Sequence, residues 1–153
     1  MTRIIGIDPG LCGALAVLEA GRVDVFDMPT IRVRDKKRID TAALVRLLVD
    51  IGPVDLVAVE DVQGVQGSGS TSAFTFGRGI GIIEGVLAAF ERPAMWVTPQ
   101  RWTKALGVSR DKGEHRQRAA RLFPADADLF ARVKDDGRAD AALIAHYAAA
   151  VRA

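Results

Sequence analysis

Three carboxylates, Asp8, Glu60 and Asp140, stand at the ends of segments that a folded chain would bring together. Asp8 closes the apolar run that opens the chain, just ahead of Pro9-Gly10. Glu60 closes Leu56-Val57-Ala58-Val59, and Asp140 falls in the opening turn of the last helical stretch. Carboxylates held close together repel, and each resists ionisation unless a cation neutralises it. Hard oxygen ligands with open positions suit Mg²⁺ or Mn²⁺. Taken singly, an acid at a strand end is a solvated turn residue, and an Asp in a helix's first turn complements the helix dipole. The order of the elements is what makes a group of the three.

That order follows from periodicity and turn chemistry. Arg3 to Asp8, Gly13 to Leu18 and Arg22 to Met28 are short, β-rich and broken by glycine turns, so three antiparallel strands open the fold. The residue before Pro9 is pushed to an extended conformation, and Ala20-Gly21 suits a tight hairpin. Arg32 to Arg38 reads as a charged excursion. Asp40-Thr41 then offers an N-cap before Leu44, Leu47, Leu48 and Ile51, a helix stopped at Gly52-Pro53. Leu56 to Glu60 reads as a central strand buried on both faces. Gly64 to Ser72 is a flexible loop by composition, followed by a long helix over 72–91 in which Gly77, Gly81 and Gly85 recur every four residues. Pro93 to Val97 reads as a strand, Pro99 to Leu106 and Ser109 to Phe123 as helices, and a last helix runs from about Asp136 through Ala150. The expectation is a single α/β domain over residues 1–153, with a mixed five-stranded sheet flanked by helices. In it Asp8 and Glu60 end adjacent strands, and a helix across the sheet carries Asp140.

Composition narrows the class. At 153 residues, with 49% hydrophobic and 26% charged residues, the chain has room for one core and no disordered or fibrous bias. No apolar stretch approaches the roughly 20 residues of a membrane span, and no signal peptide is visible. With one cysteine, Cys12, an internal disulfide and a Cys-rich zinc site are excluded, and the expected compartment is the cytoplasm. Net charge is only +2, yet residues 92–121 carry eight Lys/Arg against two Asp/Glu. Arginine outnumbers lysine 16 to 5, and its fork suits phosphate, which points to a polyanionic partner.

Ile4-Ile5-Gly6-Ile7-Asp8-Pro9-Gly10, Leu56-Val57-Ala58-Val59-Glu60, Gly77-Arg78-Gly79 to Val86, and Asp136-Gly137-Arg138-Ala139-Asp140-Ala141-Ala142 together resemble the RuvC family of Holliday-junction resolvases. The likeness spans nearly the whole chain in order, and the last motif looks most like the compact RuvC-like enzymes of phages. The resemblance implies a ribonuclease-H-like fold and a homodimer. It implies hydrolysis of four-way DNA junctions by symmetric nicks that leave 5′ phosphates, with two Mg²⁺ or Mn²⁺ ions per site. Asp8, Glu60 and Asp140 match three of the family's four acidic ligands. Its fourth acid often lies three residues before the last Asp, where this chain has Gly137. Asp136, four residues before, is about 40° round a helix from Asp140, against about 140° for Asp135, and is the favoured fourth ligand. Asp136 is also a natural N-cap. Lys112 resembles the family's basic residue near the scissile phosphate, where it would offset transition-state charge.

Arg32, Arg34, Lys36, Lys37, Arg38, Arg78, Arg101, Lys104, Arg110 and Arg116 are candidates for phosphate contacts that position a branched substrate without reading bases. Gln63 stands in the region after Glu60, where family members can carry a stacking aromatic. The first aromatics here are Phe74 and Phe76, and Phe74 is a candidate for stacking on a base, against a role in the core or at a dimer interface. Trp96 and Trp102 read as packing a helix on the sheet, His115 as a surface residue, His146 as a packing residue and Cys12 as a small turn or core filler. Branch-migration or phage replication proteins are the partners implied. Broader cutting of flaps and forks, or a junction-binding module without hydrolysis, would use much the same residues. The opening Gly6 to Gly10 also resembles the phosphate loop of actin-like ATPases, but those need two such domains.

Overall fold

The computed structural model describes residues 1–64, 67 and 69–153. Arg3–Asp8 (β1), Ala14–Glu19 (β2) and Arg22–Asp27 (β3) pair antiparallel in succession. The β2–β3 turn places Ala20 at φ 52° and Gly21 at φ 76°. Two consecutive left-handed residues give a hairpin turn whose twist matches that of the flanking strands. The charged stretch that follows is not irregular. Thr30–Val33 (β4) and Lys36–Ile39 (β5) form a separate two-stranded hairpin across Arg34-Asp35, both with positive φ. Its strands lack apolar alternation because half of their residues are exposed and only Ile39 is buried.

Helix α1, Thr41–Ile51, is capped by Asp40, whose carboxylate accepts from the Ala43 amide at 3.0 Å. Strand β6, Leu56–Glu60, follows, then α2, Ser70–Ala89, and β7, Ala94–Val97. Helix α3 spans Pro99–Leu106 and α4 spans Lys112–Leu122. The latter starts later than the periodicity suggests because Asp111 is its cap, accepting from the Gly113 and Glu114 amides. Residues 124–135, which carry no periodic signal, form two 3₁₀ turns at Pro124–Phe130 and Val133–Asp135. Helix α5, Asp136–Arg152, ends the fold. The expected loop from Gly64 to Ser72 overlaps α2 at its end and includes residues 65, 66 and 68, which lie outside the described residues. No helix among the described residues is long and apolar enough to cross a membrane.

The main sheet runs β3-β2-β1-β6-β7, with β1, β6 and β7 parallel, so it is the mixed five-stranded sheet expected. Strand pleating sorts its residues between two cores. Ile5, Ile7, Val57 and Val59 face α1 and α2, whereas Ile4, Ala58 and Ala16 face α5 and the helices beside it. Helix α5 lies against β1 at backbone distance. A Cβ on Gly6 would stand 2.1 Å from the Ala141 carbonyl oxygen and 2.5 Å from the Ala145 nitrogen. At the helix start, a Cβ on Gly137 would stand 2.3 Å from the Cys12 carbonyl oxygen. Small residues at these points let the helix settle on the strand, and its Ala139, Ala141, Ala142, Ala145 and Ala148 are wholly buried.

Candidate active site

The same pleating places the carboxylates. Ile7 pairs with Val59 in parallel register, so Asp8 and Glu60 follow side by side at the ends of β1 and β6. Asp8 shares the parity of Ile4 and Gly6, and Glu60 that of Ala58, so both lie on the face that α5 covers. Asp140, in the second turn of α5, is 1% exposed beneath them. The structure thus brings together Asp8, Glu60 and Asp140 as the sequence implies.

Their electrostatics show the strain of that arrangement. Asp8 is pushed up to about 7, first by burial and then by the charges of Asp140 and Glu60, despite a 3.1 Å hydrogen bond from the Gly10 amide and the nearby Lys112. Glu60 is also raised, chiefly by burial and secondarily by Asp140, and is held down by a 3.0 Å hydrogen bond from Trp102 Nε1 to its Oε1. Lys112, the first residue of α4, donates to Asp140 Oδ2. Burial opposes its charge, but Asp140, Asp8 and Glu60 together raise its pKa. Lys112 is therefore a member of the cluster, although its side chain remains half exposed.

His115 is not the surface residue its neighbours suggest. It is 3% exposed, with Nδ1 2.7 Å from Asp140 Oδ1 and Nε2 2.6 Å from the Ser109 carbonyl. A carbonyl only accepts, so Nε2 donates to it. Nδ1 then faces the Asp140 carboxylate, a contact that favours the imidazolium form. Burial works against that imidazolium, but the hydrogen bonds to Asp140 and Ser109 outweigh it and raise the pKa. Trp102 does pack its helix on the sheet, 1% exposed, yet its indole also serves Glu60. No periodicity distinguishes a buried polar contact of this kind; the one cue in the sequence was His115 three residues after Lys112, on the same helical face.

Asp136 is the first residue of α5 and not its N-cap, which is Asp135; it lies one turn before Asp140, about a third exposed, and pairs with Arg116. Asp135 is 1% exposed and fully engaged by Arg132, which donates to it from its backbone and its guanidinium, with Arg138 3.8 Å away. The position three before Asp140 has no room for a ligand, because Gly137 sits against the Cys12-Gly13 backbone.

The donor set is chemically that of a hard divalent cation: three carboxylates, two of which, Asp8 and Glu60, resist ionisation through burial and mutual repulsion. Among the described residues, however, no three His, Cys, Asp or Glu side chains close around a common point as a finished cage. Asp140 now holds Lys112 and His115, and Glu60 holds Trp102. Their remaining lone pairs are available, and release of Lys112 would free another.

The other candidates divide by place. Arg34, Lys36, Lys37, Arg38 and Arg78 join Phe74 around a cavity of about 470 Å³ between the β4–β5 hairpin and the start of α2. Phe74 is 71% exposed, so it is no core residue. Arg32 is exposed and donates to the Asp35 carbonyl. Arg110 and Lys112 line a second cavity of about 240 Å³ beside Glu60 and Trp102. Arg101 and Lys104 are exposed on α3, and Arg116 is held by Asp136. Gln63 donates to Asp61. Cys12 is exposed in the β1–β2 turn, not a core filler, and His146 packs edge-on against Phe123.

No family model matches the sequence, and none of the curated proteins compared with it does. Solved structures do. Thermus thermophilus RuvC in complex with Holliday junction substrate superposes with a TM-score of 0.71 at 18% identity, over 99% of this chain and 96% of that one. A second structure of T. thermophilus RuvC gives 0.63 at 18% identity, over 99% and 97%. The yeast mitochondrial Holliday junction resolvase Ydc2 gives 0.59 at 17% identity, over 95% and 77%. At such identities the likeness is one of architecture, and the chain has the ribonuclease-H-like α/β fold that RuvC and Ydc2 share.

Proposed function

We propose that this protein is a divalent-metal-dependent endonuclease for branched DNA, with the four-way junction as its preferred substrate. The observation that carries the proposal is the convergence of Asp8, Glu60 and Asp140 with Lys112 at one sheet edge of a RuvC-like fold. RuvC in that fold was solved with Holliday junction substrate, and negative charge gathered where phosphate must lie is useful only if cations bridge the two.

Asp8, Glu60 and Asp140 would hold Mg²⁺ or Mn²⁺, two ions per site, with Asp136 as fourth ligand once Arg116 releases it. The chemistry such ions supply when bound is activation of the attacking water and neutralisation of the leaving 3′ oxygen. Lys112, half exposed on its carboxylate, is placed to exchange Asp140 for a non-bridging phosphate oxygen. Arg110 beside it would hold a neighbouring phosphate. The basic hairpin, with Arg78, would anchor a duplex arm, and Phe74 at its foot would stack on an unpaired base. Product strands would carry 5′ phosphates.

Symmetric resolution needs two sites. The exposed face of α2 suits a second copy of the chain, since Gly77, Gly81 and Gly85 lie in line with open space where a Cβ would project. A two-fold axis there would set two sites on opposing strands of a junction. The test is cleavage of a labelled four-way junction beside a fork and a linear duplex, with Mg²⁺, Mn²⁺ or chelator, for wild type and Asp8→Asn. Paired nicks that need metal and vanish in the variant are expected. Equal cutting of fork and junction would make the enzyme a general branch nuclease. Tight binding without cutting of any substrate would overturn catalysis.

A further inference from the structure

We infer that Trp102 and His115 form a single brace that fixes the rotamers of two catalytic carboxylates and remains in place while Lys112 moves. The inference rests on the assignment of Glu60 and Asp140 as metal ligands. Trp102 lies in α3 and His115 in α4, and the two rings meet edge to face with centroids 5.2 Å apart. From that contact each ring reaches one acid: Trp102 Nε1 donates to Glu60 Oε1 at 3.0 Å, and His115 Nδ1 lies 2.7 Å from Asp140 Oδ1. Both rings are buried, at 1% and 3% exposure, so neither can turn away to solvent.

The far side of the imidazole is fixed as well. Its Nε2 donates to the Ser109 carbonyl in the α3–α4 connection, where the Asp111 amide donates to Ser109 Oγ at 3.1 Å. The connection is shaped by Gly107, in left-handed conformation at the end of α3, and by the Asp111 cap of α4. An edge-to-face pair tied at one end to the backbone and at the other to two carboxylates has few ways to rearrange.

Asp140 shows why such a brace matters. Its two oxygens are held by residues of one helix face, Oδ1 by His115 and Oδ2 by Lys112. The side chain of His115 is 4% exposed and that of Lys112 is 51% exposed. Lys112 is thus free to depart toward a phosphate, and His115 keeps the carboxylate aimed after it has gone. The brace makes Trp102 and His115 positioning residues, with no contact to the reacting atoms required of either.

The experiment compares wild type, Trp102→Phe, His115→Asn and His115→Leu. Mn²⁺ affinity is read by electron paramagnetic resonance of the free ion, junction affinity in chelator, and cleavage at saturating junction. Trp102→Phe keeps an aromatic ring and removes the N–H. His115→Asn keeps a donor near Nδ1, and His115→Leu removes it. Expected are a 10- to 100-fold weaker Mn²⁺ affinity and a matching fall in kcat for Trp102→Phe and His115→Leu. Asn at 115 should restore most of the loss, and junction affinity should stay within about twofold throughout. In ¹⁵N-labelled wild type, Mg²⁺ should shift the Trp102 indole N–H and leave that of Trp96 in place, a readout that needs no variant to fold. Unchanged Mn²⁺ affinity in the Phe and Leu variants, or an unmoved Trp102 indole, would overturn the brace. Cleavage absent in wild type, with the Mn²⁺ contrasts intact, would overturn the nuclease assignment and leave the brace standing.

Discussion

At the scale of single residues, the site gathers buried carboxylates that repel one another. Asp8 is raised to about 7 by burial and by two neighbouring carboxylates, a cost set against stability. Asp8→Asn removes the charge, keeps an oxygen for the Gly10 amide, and relieves Glu60 and Asp140. Calorimetry of the metal-free variant should show a midpoint about 2–4 °C higher, the shift that about 1 kcal/mol gives at this chain length. Junction cleavage should fall by about 10²–10³-fold or more. Lys112→Ala should lower kcat by about 10²-fold with junction affinity nearly unchanged, as follows if Lys112 is one cation among the many of the proposed contact surface.

At the scale of elements, the close seating of α5 on β1 is what sets Asp140 under Asp8. Gly6→Ala would drive a methyl into the Ala141 carbonyl, and the helix cannot retreat without opening a core of buried alanines. The expected loss is about 3 kcal/mol or more, seen as a midpoint roughly 6–12 °C lower. Two ion pairs tie the far edge of the sheet to the C-terminal half. Arg22 holds Asp126 in a forked pair, with contacts of 2.5–3.1 Å, and Arg138 holds Asp27 at 2.7 and 2.9 Å. Each arginine's hydrogen bond lowers its partner's pKa below the ordinary 3.8. A depressed folded pKa contributes stability that is present above the unfolded value and lost as pH falls through the folded one. Stability should therefore decline below about pH 4, and Asp27→Asn should flatten that decline in urea titrations from pH 5 to 2. Unchanged curves would mean that the Arg138–Asp27 pair is too screened to matter.

For the whole molecule, the basic surfaces act collectively. Basic residues of the hairpin and α2 line one cavity, and Arg110 and Lys112 line another beside Glu60, so a junction spanning both would displace many counterions. The logarithm of junction affinity should fall against the logarithm of salt with a slope of about −5 or steeper, as for six or more phosphates. A flat response would rule out this mode of binding. Replacing Gly81 by Arg on the exposed glycine face should leave the fold intact and shift sedimentation from dimer to monomer, with loss of paired nicking.

Strand ends and the Asp40 cap were legible in the chain, because they depend on period and turn chemistry, which are local. The grouping of Asp8, Glu60 and Asp140 was expected from the order of the elements and the family resemblance, and it is made by the pairing of β1 with β6 and the seating of α5 on β1. The β4–β5 hairpin was not legible, since its strands face solvent and bear charge in place of alternation. Nor were the roles of His115 and Trp102. Burial at those positions is consistent with plain packing, and only the meeting of α3, α4 and α5 puts an acid within reach of each ring. The choice among Asp135, Gly137 and Asp136 was likewise tertiary. Helical angle disfavoured Asp135, but it took Arg132 on that residue, the Cys12 backbone against Gly137 and Arg116 on Asp136 to define what each can do. Spacing along a chain determines which residues share a face; which partner each one meets is decided by elements far apart in sequence.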